Sequence, residues 1–168
     1  IVSDKLTFTV KETHLPKAFP VRGMVERVSL DSEDFHTVYS YFAMQHHGAL
    51  IRDRLAWDEY WRWENDDMIV ALYYNEEHKP LGYLVYYIAN EIFHIKEMVY
   101  LTSEARHGLW NYISAHFSMI TQVRGDNYSG EPMAYLFEDS EIEETIAPDI
   151  MARIVDVENF LQEYPWQI

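Results

Sequence analysis

Apolar and polar positions alternate with period two through the middle of the chain. Met68–Tyr74 is a run of β-branched and aromatic residues, interrupted by the polar interval Asn75-Glu76-Glu77-His78-Lys79-Pro80. That pattern predicts a strand followed by a hairpin loop. Leu81–Ile88 resumes the apolar run, and Asn90-Glu91 turns it again. Ile92–Tyr100 then alternates, with Ile92, His94, Lys96 and Met98 on one face and Phe93, Ile95, Glu97 and Val99 on the other. Beyond it Ser103 is placed to cap a helix, in which Ala105, Leu109, Tyr112, Ile113 and His116 recur at three- and four-residue spacing. The centre of the chain therefore predicts an antiparallel meander feeding a helix, an arrangement common in α/β sandwiches.

The flanks read less cleanly. Lys5–Val10 sets Leu6, Phe8 and Val10 against Thr7 and Thr9, which predicts a strand. Lys11–Pro20 carries Pro16 and Pro20 and reads as a linker. A lone strand ahead of a linker cannot satisfy its backbone locally, so it is expected to join another sheet, in another domain. Met24–Leu30 predicts a second strand. Asp31 or Ser32 caps a helix running to about His47, with Phe35, Val38, Tyr39 and Phe42 on its buried face and Gly48 at its end. Trp57–Asn65 predicts a short helix. After the long helix, which reaches about Thr121, Val123–Tyr128 is short and broken by Gly125. Met133–Phe137 reads as a short helix and Glu138–Glu144 as an acidic, solvated loop. Met151–Val157 predicts a strand, and Phe160–Tyr164 a final helix stopped by Pro165. No internal repeat is visible at periods of roughly 20 to 50 residues.

A chain of 168 residues with 48% apolar content suits one domain with a sizeable core. Aromatic residues reach 15%, which argues against disorder. The charge changes the picture more: 28 acidic against 13 basic residues leave a net −15. Such a surface repels nucleic acid and anionic lipid and attracts cations or basic partners. Solubility of a cytoplasmic protein is the more ordinary explanation of the acidity, with cationic substrates the alternative. There is no cysteine, so disulfides, thiolate chemistry and cysteine-ligated metal are excluded. No apolar run approaches the roughly 18 to 20 residues of a membrane span, and no signal-peptide pattern appears. The chain opens on Ile1 rather than methionine, which suggests a piece of something longer.

Few constellations carry chemistry. His46 and His47 with Asp53 could suggest a metal, but adjacent helix-end histidines point about 100° apart and do not converge. Glu64, Asp66 and Asp67, like Glu141, Glu143 and Glu144, read as solvated acids. No serine sits in a G-x-S-x-G elbow. His94 could act as a base toward Glu97, but parity puts the two on opposite faces, so His94 reads as a core or interface residue. Trp57 and Trp61, four apart, share a helical face with Glu64, and Trp63 lies on the other side. An aromatic wall with carboxylates beside it suits a cationic ligand; two tryptophans anchoring a core fit the same spacing. The strand-to-helix turn after Tyr100 is where a phosphate could sit on a helix N-terminus. Here it reads Leu101-Thr102-Ser103-Glu104-Ala105-Arg106-His107-Gly108, without glycine before the second turn and with Glu104 where the phosphate would lie. The turn looks closed to a pyrophosphate.

The segments GALIRDRLAW (Gly48–Trp57), GYLVYY (Gly82–Tyr87), HIKEMVYLTSEARHGLWNYISAH (His94–His116) and MARIVDVENFLQEYP (Met151–Pro165) resemble the central lobe of the Eis-type (enhanced intracellular survival) multi-domain GNAT N-acetyltransferases of bacteria. The resemblance implies an α+β fold, an α/β sandwich with a GNAT-like, mixed and mostly antiparallel central sheet flanked by helices. In that family two GNAT-like lobes precede a domain resembling sterol carrier proteins. The first lobe holds acetyl-CoA through R/Q-x-x-G-x-G/A and carries a tyrosine general acid; the terminal carboxylate of the whole protein serves as base. Residues 1–22 would then be the last strand of the first lobe plus a linker, 23–160 the central lobe, and 161–168 the approach to the third domain.

Residue by residue, little of that machinery carries over. Arg106-His107-Gly108 has the wrong spacing for the acetyl-CoA loop, and no residue matches the catalytic tyrosine. The resemblance therefore implies an acetyl-CoA-dependent N-acetyltransferase whose cofactor is bound outside this chain, with no catalytic, cofactor or metal residue within it. Trp57, Trp61 and Glu64 would contact an amine-bearing small molecule or basic acceptor, and the parent protein would form a homo-oligomer. Two other readings stand beside it. One is a self-sufficient single-domain GNAT enzyme, disfavoured by Glu104 and the missing glycines. The other is a non-enzymatic binding or oligomerisation module.

Overall fold

The computed structural model describes residues 3–46, 48–62, 67–127, 133–137 and 141–164. In chain order these form β1 (Ser3–Lys11), β2 (Met24–Val28), α1 (Glu33–Gln45), α2 (Arg54–Trp61), β3 (Ile69–Tyr74), β4 (Pro80–Ala89), β5 (Ile92–Tyr100), α3 (Ser103–Ser114), β6 (Gln122–Asn127), β7 (Glu143–Ile150) and α4 (Val157–Glu163). The seven strands make one sheet in the order β2-β3-β4-β5-β6-β1-β7. Every pairing is antiparallel except β5 with β6, which flank α3 as a crossover. The sheet is thus mixed and mostly antiparallel, as expected.

Local chemistry sets the boundaries. Ser32 caps α1 by accepting from the Phe35 N–H, and Glu33 and Asp34 complement its dipole. Asp53 caps α2 through the Ala56 N–H at 2.9 Å, so this helix starts three residues before the expected Trp57. Thr102, not Ser103, caps α3, accepting from the Ala105 N–H at 3.1 Å. The β4–β5 hairpin turns on Asn90 and Glu91, at φ 50° and 59°. Both central residues of such a two-residue turn need positive φ to match strand twist.

Helices cover both faces of the sheet. Leu109, Trp110 and Ile113 of α3 pack over Tyr73, Leu84, Tyr86, Phe93 and Ile95. Phe35 and Val38 of α1 and Trp57 of α2 pack over Val70, Leu72, Tyr83, Val85 and Val99 on the opposite face. One irregularity changes the reading of β5. Its register with β4 jumps between Val85↔Glu97 and Tyr86↔Ile95, leaving Lys96 as an extra residue. Such a bulge shifts the alternation of faces. Phe93 and Ile95 therefore enter the α3 core and Val99 the α1/α2 core, although strict alternation placed all three on one face.

Two expectations fail outright. β1 does not belong to another sheet: it lies inside this one, paired with β6 from Leu6↔Asn127 to Lys11↔Gln122 and with β7 on its other side. The partners that satisfy its backbone come more than a hundred residues later, which local pattern could not reveal. Met151–Val157 is not a strand either; residues 151–154 are irregular and the strand is Glu143–Ile150. That strand is the sheet's edge and its described side chains are exposed, so it lacks an apolar signature. Its Pro148 has no N–H to give, which an edge tolerates. The short helix expected at Met133–Phe137 is a 3-10 turn, Ala134–Leu136.

Candidate functional site

Two places concentrate chemistry, one on each face of the sheet. The first is the start of α3. Leu101 donates its N–H to the Leu81 carbonyl at 2.8 Å, and Thr102 takes up the Ala105 N–H. The segment following β1 is laid against this end. The Arg22 N–H donates to the Glu104 carboxylate at 2.8 Å. Asn111 holds Phe19 by both backbone groups, accepting its N–H at 2.7 Å and donating to its carbonyl at 2.9 Å. The Phe19 ring stacks on His107 with centroids 4.2 Å apart. The Arg22 N–H and then the Tyr73 phenol hold the Glu104 carboxyl below its usual range.

Gly108, the glycine of this turn, serves packing. A Cβ there would come within 2.3 Å of the Tyr73 ring, and a Cβ at Gly23 would lie 2.5 Å from the same residue's phenol oxygen. Tyr73 is fully buried and accepts the Gly23 N–H at 3.1 Å. A glycine that faces a buried tyrosine is not one that lets a phosphate approach. The residues at this helix start therefore do not fit a pyrophosphate: a carboxylate stands there, and the N-terminal segment is bonded to it.

The second place is the Lys96 bulge on the α1/α2 face. Glu97, buried, faces the loop between the two helices, from which Arg52 reaches in. The pair is bidentate, Nη1 to Oε1 at 3.0 Å and Nη2 to Oε2 at 2.6 Å. Buried Tyr83 donates a further hydrogen bond to Glu97. The Arg52 guanidinium lies 3.9 Å from the Tyr39 ring centre, 4.3 Å from Tyr60 and 4.8 Å from Trp57. Lys96 turns to the same face, its ammonium 4.4 Å from the Tyr60 ring. Burial works against the charge on Arg52, but the Glu97 carboxylate outweighs it and the guanidinium is held more firmly protonated than usual. Burial, reinforced by Glu97, pushes the Tyr83 phenol far up. With both oxygens of Glu97 committed, this carboxylate is not available as a base.

The residues singled out in the sequence fall as follows. Trp57 is 8% exposed, with His36 stacked 4.5 Å away, Phe35 and Tyr39 against it, and Arg52 beside it. Trp61 is half-buried against Tyr60 and Phe35. Glu64, like Trp63 and His47, lies outside the described residues. Beside Trp57 the structure places the Glu97 carboxylate, and the cation seated between them is the chain's own Arg52. His46 stacks on Phe42 and bonds its carbonyl, and Asp53 is spent on the α2 cap. His94 stacks on Tyr87; burial lowers its pKa. Sequence reasoning missed Arg52 and Tyr39. The available signal was Glu97 itself, an acid at a buried strand position that needs a cation brought from elsewhere.

The sequence model of the acetyltransferase (GNAT) domain matches residues 48–154. No curated protein matches the sequence. Among solved structures, a conserved protein of unknown function from Enterococcus faecalis V583, described as a probable N-acyltransferase, superposes with a TM-score of 0.88 at 29% identity, over 99% of this chain and 43% of that one. A GCN5-related N-acetyltransferase from Anabaena variabilis ATCC 29413 gives 0.71 at 19% identity, covering 86% and 39%. Eis1 from Mycobacterium abscessus gives 0.72 at 14% identity, covering 95% and 43%. The chain therefore spans less than half the length of each of these proteins. At the lower two identities the likeness shows the fold.

Proposed function

From the premise that the chain belongs to the GNAT acetyltransferase domain family, we propose that it is the acceptor-side lobe of an acetyl-CoA-dependent N-acetyltransferase and does not itself hold acyl-CoA. The observation that carries this reading is the start of α3. There Glu104 accepts the Arg22 N–H, and Phe19 is pinned to Asn111 and His107. An anion brought to that turn would meet a carboxylate and would have to strip away the bonded segment.

The rest of the proposal follows the Eis-type pattern. The acetyl-CoA site, the general acid and the base belong to other parts of a longer, cytoplasmic, homo-oligomeric enzyme. Strand β1 belongs to this lobe's own sheet, and residues 161–168 lead to a third domain. The acceptor is an amine, attracted by the net −15 charge. An amine must lose a proton before it attacks a thioester, and carboxylates nearby favour its cationic ground state. Trp57, Trp61 and Glu64 accordingly contribute to acceptor binding and not to chemistry, Trp57 as the buried support and Trp61 as the more exposed ring. In the enzyme, Trp61→Ala raises KM and leaves kcat within about twofold; a large loss of kcat at unchanged KM contradicts this.

Hydrogen exchange with and without acetyl-CoA tests the central part. Amides of the first turn of α3 and of Phe19–Gly23 should exchange at the same rate in both conditions. Protection confined to that turn would place the cofactor on this lobe and overturn the proposal.

A further inference from the structure

The ring cluster around Arg52 has the make-up of a ligand site. Tyr39, Trp57 and Tyr60 surround the guanidinium at 3.9–4.8 Å, and Glu97 meets it with two parallel bonds of 3.0 and 2.6 Å. That fork suits a planar guanidinium and not an ammonium, which offers a point charge without paired donors. Stacking on three ring faces favours the same cation; the Lys96 ammonium, 4.4 Å from the Tyr60 ring, is the chain's own competitor and reaches one of the three. The site is also reachable. A cleft of roughly 380 Å³ opens beside it, lined by His36, Asp53, Arg54, Asp58, Trp57 and Arg52 itself. The Arg52 side chain retains 16% exposure.

The walls and the cation come from different parts of the fold. Tyr39 stands on α1, Trp57 and Tyr60 on α2, and Glu97 on β5, all packed into the sheet sandwich. Arg52 comes from the loop between the two helices. Leu50 and Ile51 of that loop are 73% and 83% exposed. Gly48 turns it at φ 88°, a conformation that favours glycine. The loop is tied back by the Tyr39 hydroxyl on the Leu50 carbonyl at 2.7 Å. The cage is therefore built by the core, and its occupant is delivered by a strap that buries little else.

We propose that Tyr39, Trp57, Tyr60 and Glu97 form a guanidinium-binding site, entered through this cleft, which Arg52 fills in cis and a free alkylguanidinium fills once the Arg52 side chain is withdrawn. In the wild-type chain Arg52 acts as a tethered ligand, and its high effective concentration keeps the strap closed against competitors.

The test is chemical rescue of Arg52→Ala by ethylguanidinium at millimolar concentration, read by thermal unfolding. The variant melts below wild type. Ethylguanidinium raises its Tm saturably, by roughly 3–6 °C at tenfold excess over Kd. Ethylammonium raises it much less, wild type does not respond, and adding Glu97→Gln to Arg52→Ala abolishes the response. A folded Arg52→Ala that does not respond, or responds equally to ethylammonium or with Glu97→Gln present, overturns the proposal. If Arg52→Ala does not fold alone, the yield of folded monomer on refolding with each cation is read instead. Recovery with ethylguanidinium alone supports the site; recovery with both cations alike, or with neither, overturns it.

Discussion

Gly108 sits inside α3, where glycine costs about 1 kcal/mol relative to alanine. Tyr73 is the reason the helix carries it. An added Cβ would lie 2.3 Å from Cδ2 and 2.4 Å from Cε2 of that ring, against the ~3.5–4.0 Å of an ordinary carbon contact. The ring has nowhere to retreat, because it is fully buried and its phenol accepts the Gly23 N–H while bonding Glu104. Gly108→Ala therefore adds an overpacking cost of about 1–3 kcal/mol and, as the ring tips, about 1 kcal/mol for the lost hydrogen bond. Better helix propensity returns about 1 kcal/mol. The net is a destabilisation of about 1–3 kcal/mol, or roughly 2–12 °C in Tm for a chain of this size. Scanning calorimetry of the single variant measures it directly. In a Tyr73→Leu background the same change should cost nothing or stabilise, since the ring edge is gone. A single variant that melts at or above wild type would refute the reasoning: Tyr73 would not then be the reason for Gly108, and a glycine kept open for a ligand would return as an explanation.

Further outcomes follow from the same geometry. Glu97→Ala leaves the Arg52 guanidinium buried among rings without its counter-ion and should cost about 3–5 kcal/mol in urea unfolding, whereas Arg52→Met with Glu97→Leu should be near neutral once Tyr83→Phe also removes the buried hydroxyl that Glu97 accepts; a cost of Glu97→Ala below about 1 kcal/mol contradicts the buried pair. Glu91→Gly relieves a left-handed residue at φ 59° and should stabilise by about 0.5–1 kcal/mol after the entropy lost with glycine, with an unchanged or lower Tm arguing against the turn. Burial lowers the pKa of His36 below the ordinary imidazole value, with Asp31 opposing. The unfolded chain therefore takes up that proton first, and stability falls as pH drops through about 6.5 toward the lower folded value. His36→Gln should flatten this limb of the stability–pH curve; an unchanged slope would show that His36 does not contribute.

Much of the architecture was legible because the centre of the chain repeats at the strand period and then switches to the helix period. β3, β4 and β5 fall within two residues of their sequence boundaries, since both faces of this meander are buried and every side chain is constrained. What could not be read depends on long-range pairing. β1 finds β6 and β7 across more than a hundred residues. β7 itself is an exposed edge, carries Pro148, and is a strand through its neighbour's backbone, not its own side chains. The bulge at Lys96 adds one residue and shifts the faces of β5, so the parity that separated His94 from Glu97 does not extend across it. At the candidate sites the sequence made visible an acid at the start of α3 and an aromatic wall on α2. It did not show that Arg52, itself in the GALIRDRLAW segment, turns back to fill that wall, because a loop conformation has no period to read.

The central claim is that this lobe carries the GNAT fold with the acyl-CoA turn closed. Calorimetric titration of the 168-residue chain with acetyl-CoA tests it most directly. No saturable heat is expected up to millimolar cofactor; saturable binding at micromolar concentration would contradict the closed turn, and Glu104 and the Phe19–Gly23 segment would have to yield to the cofactor.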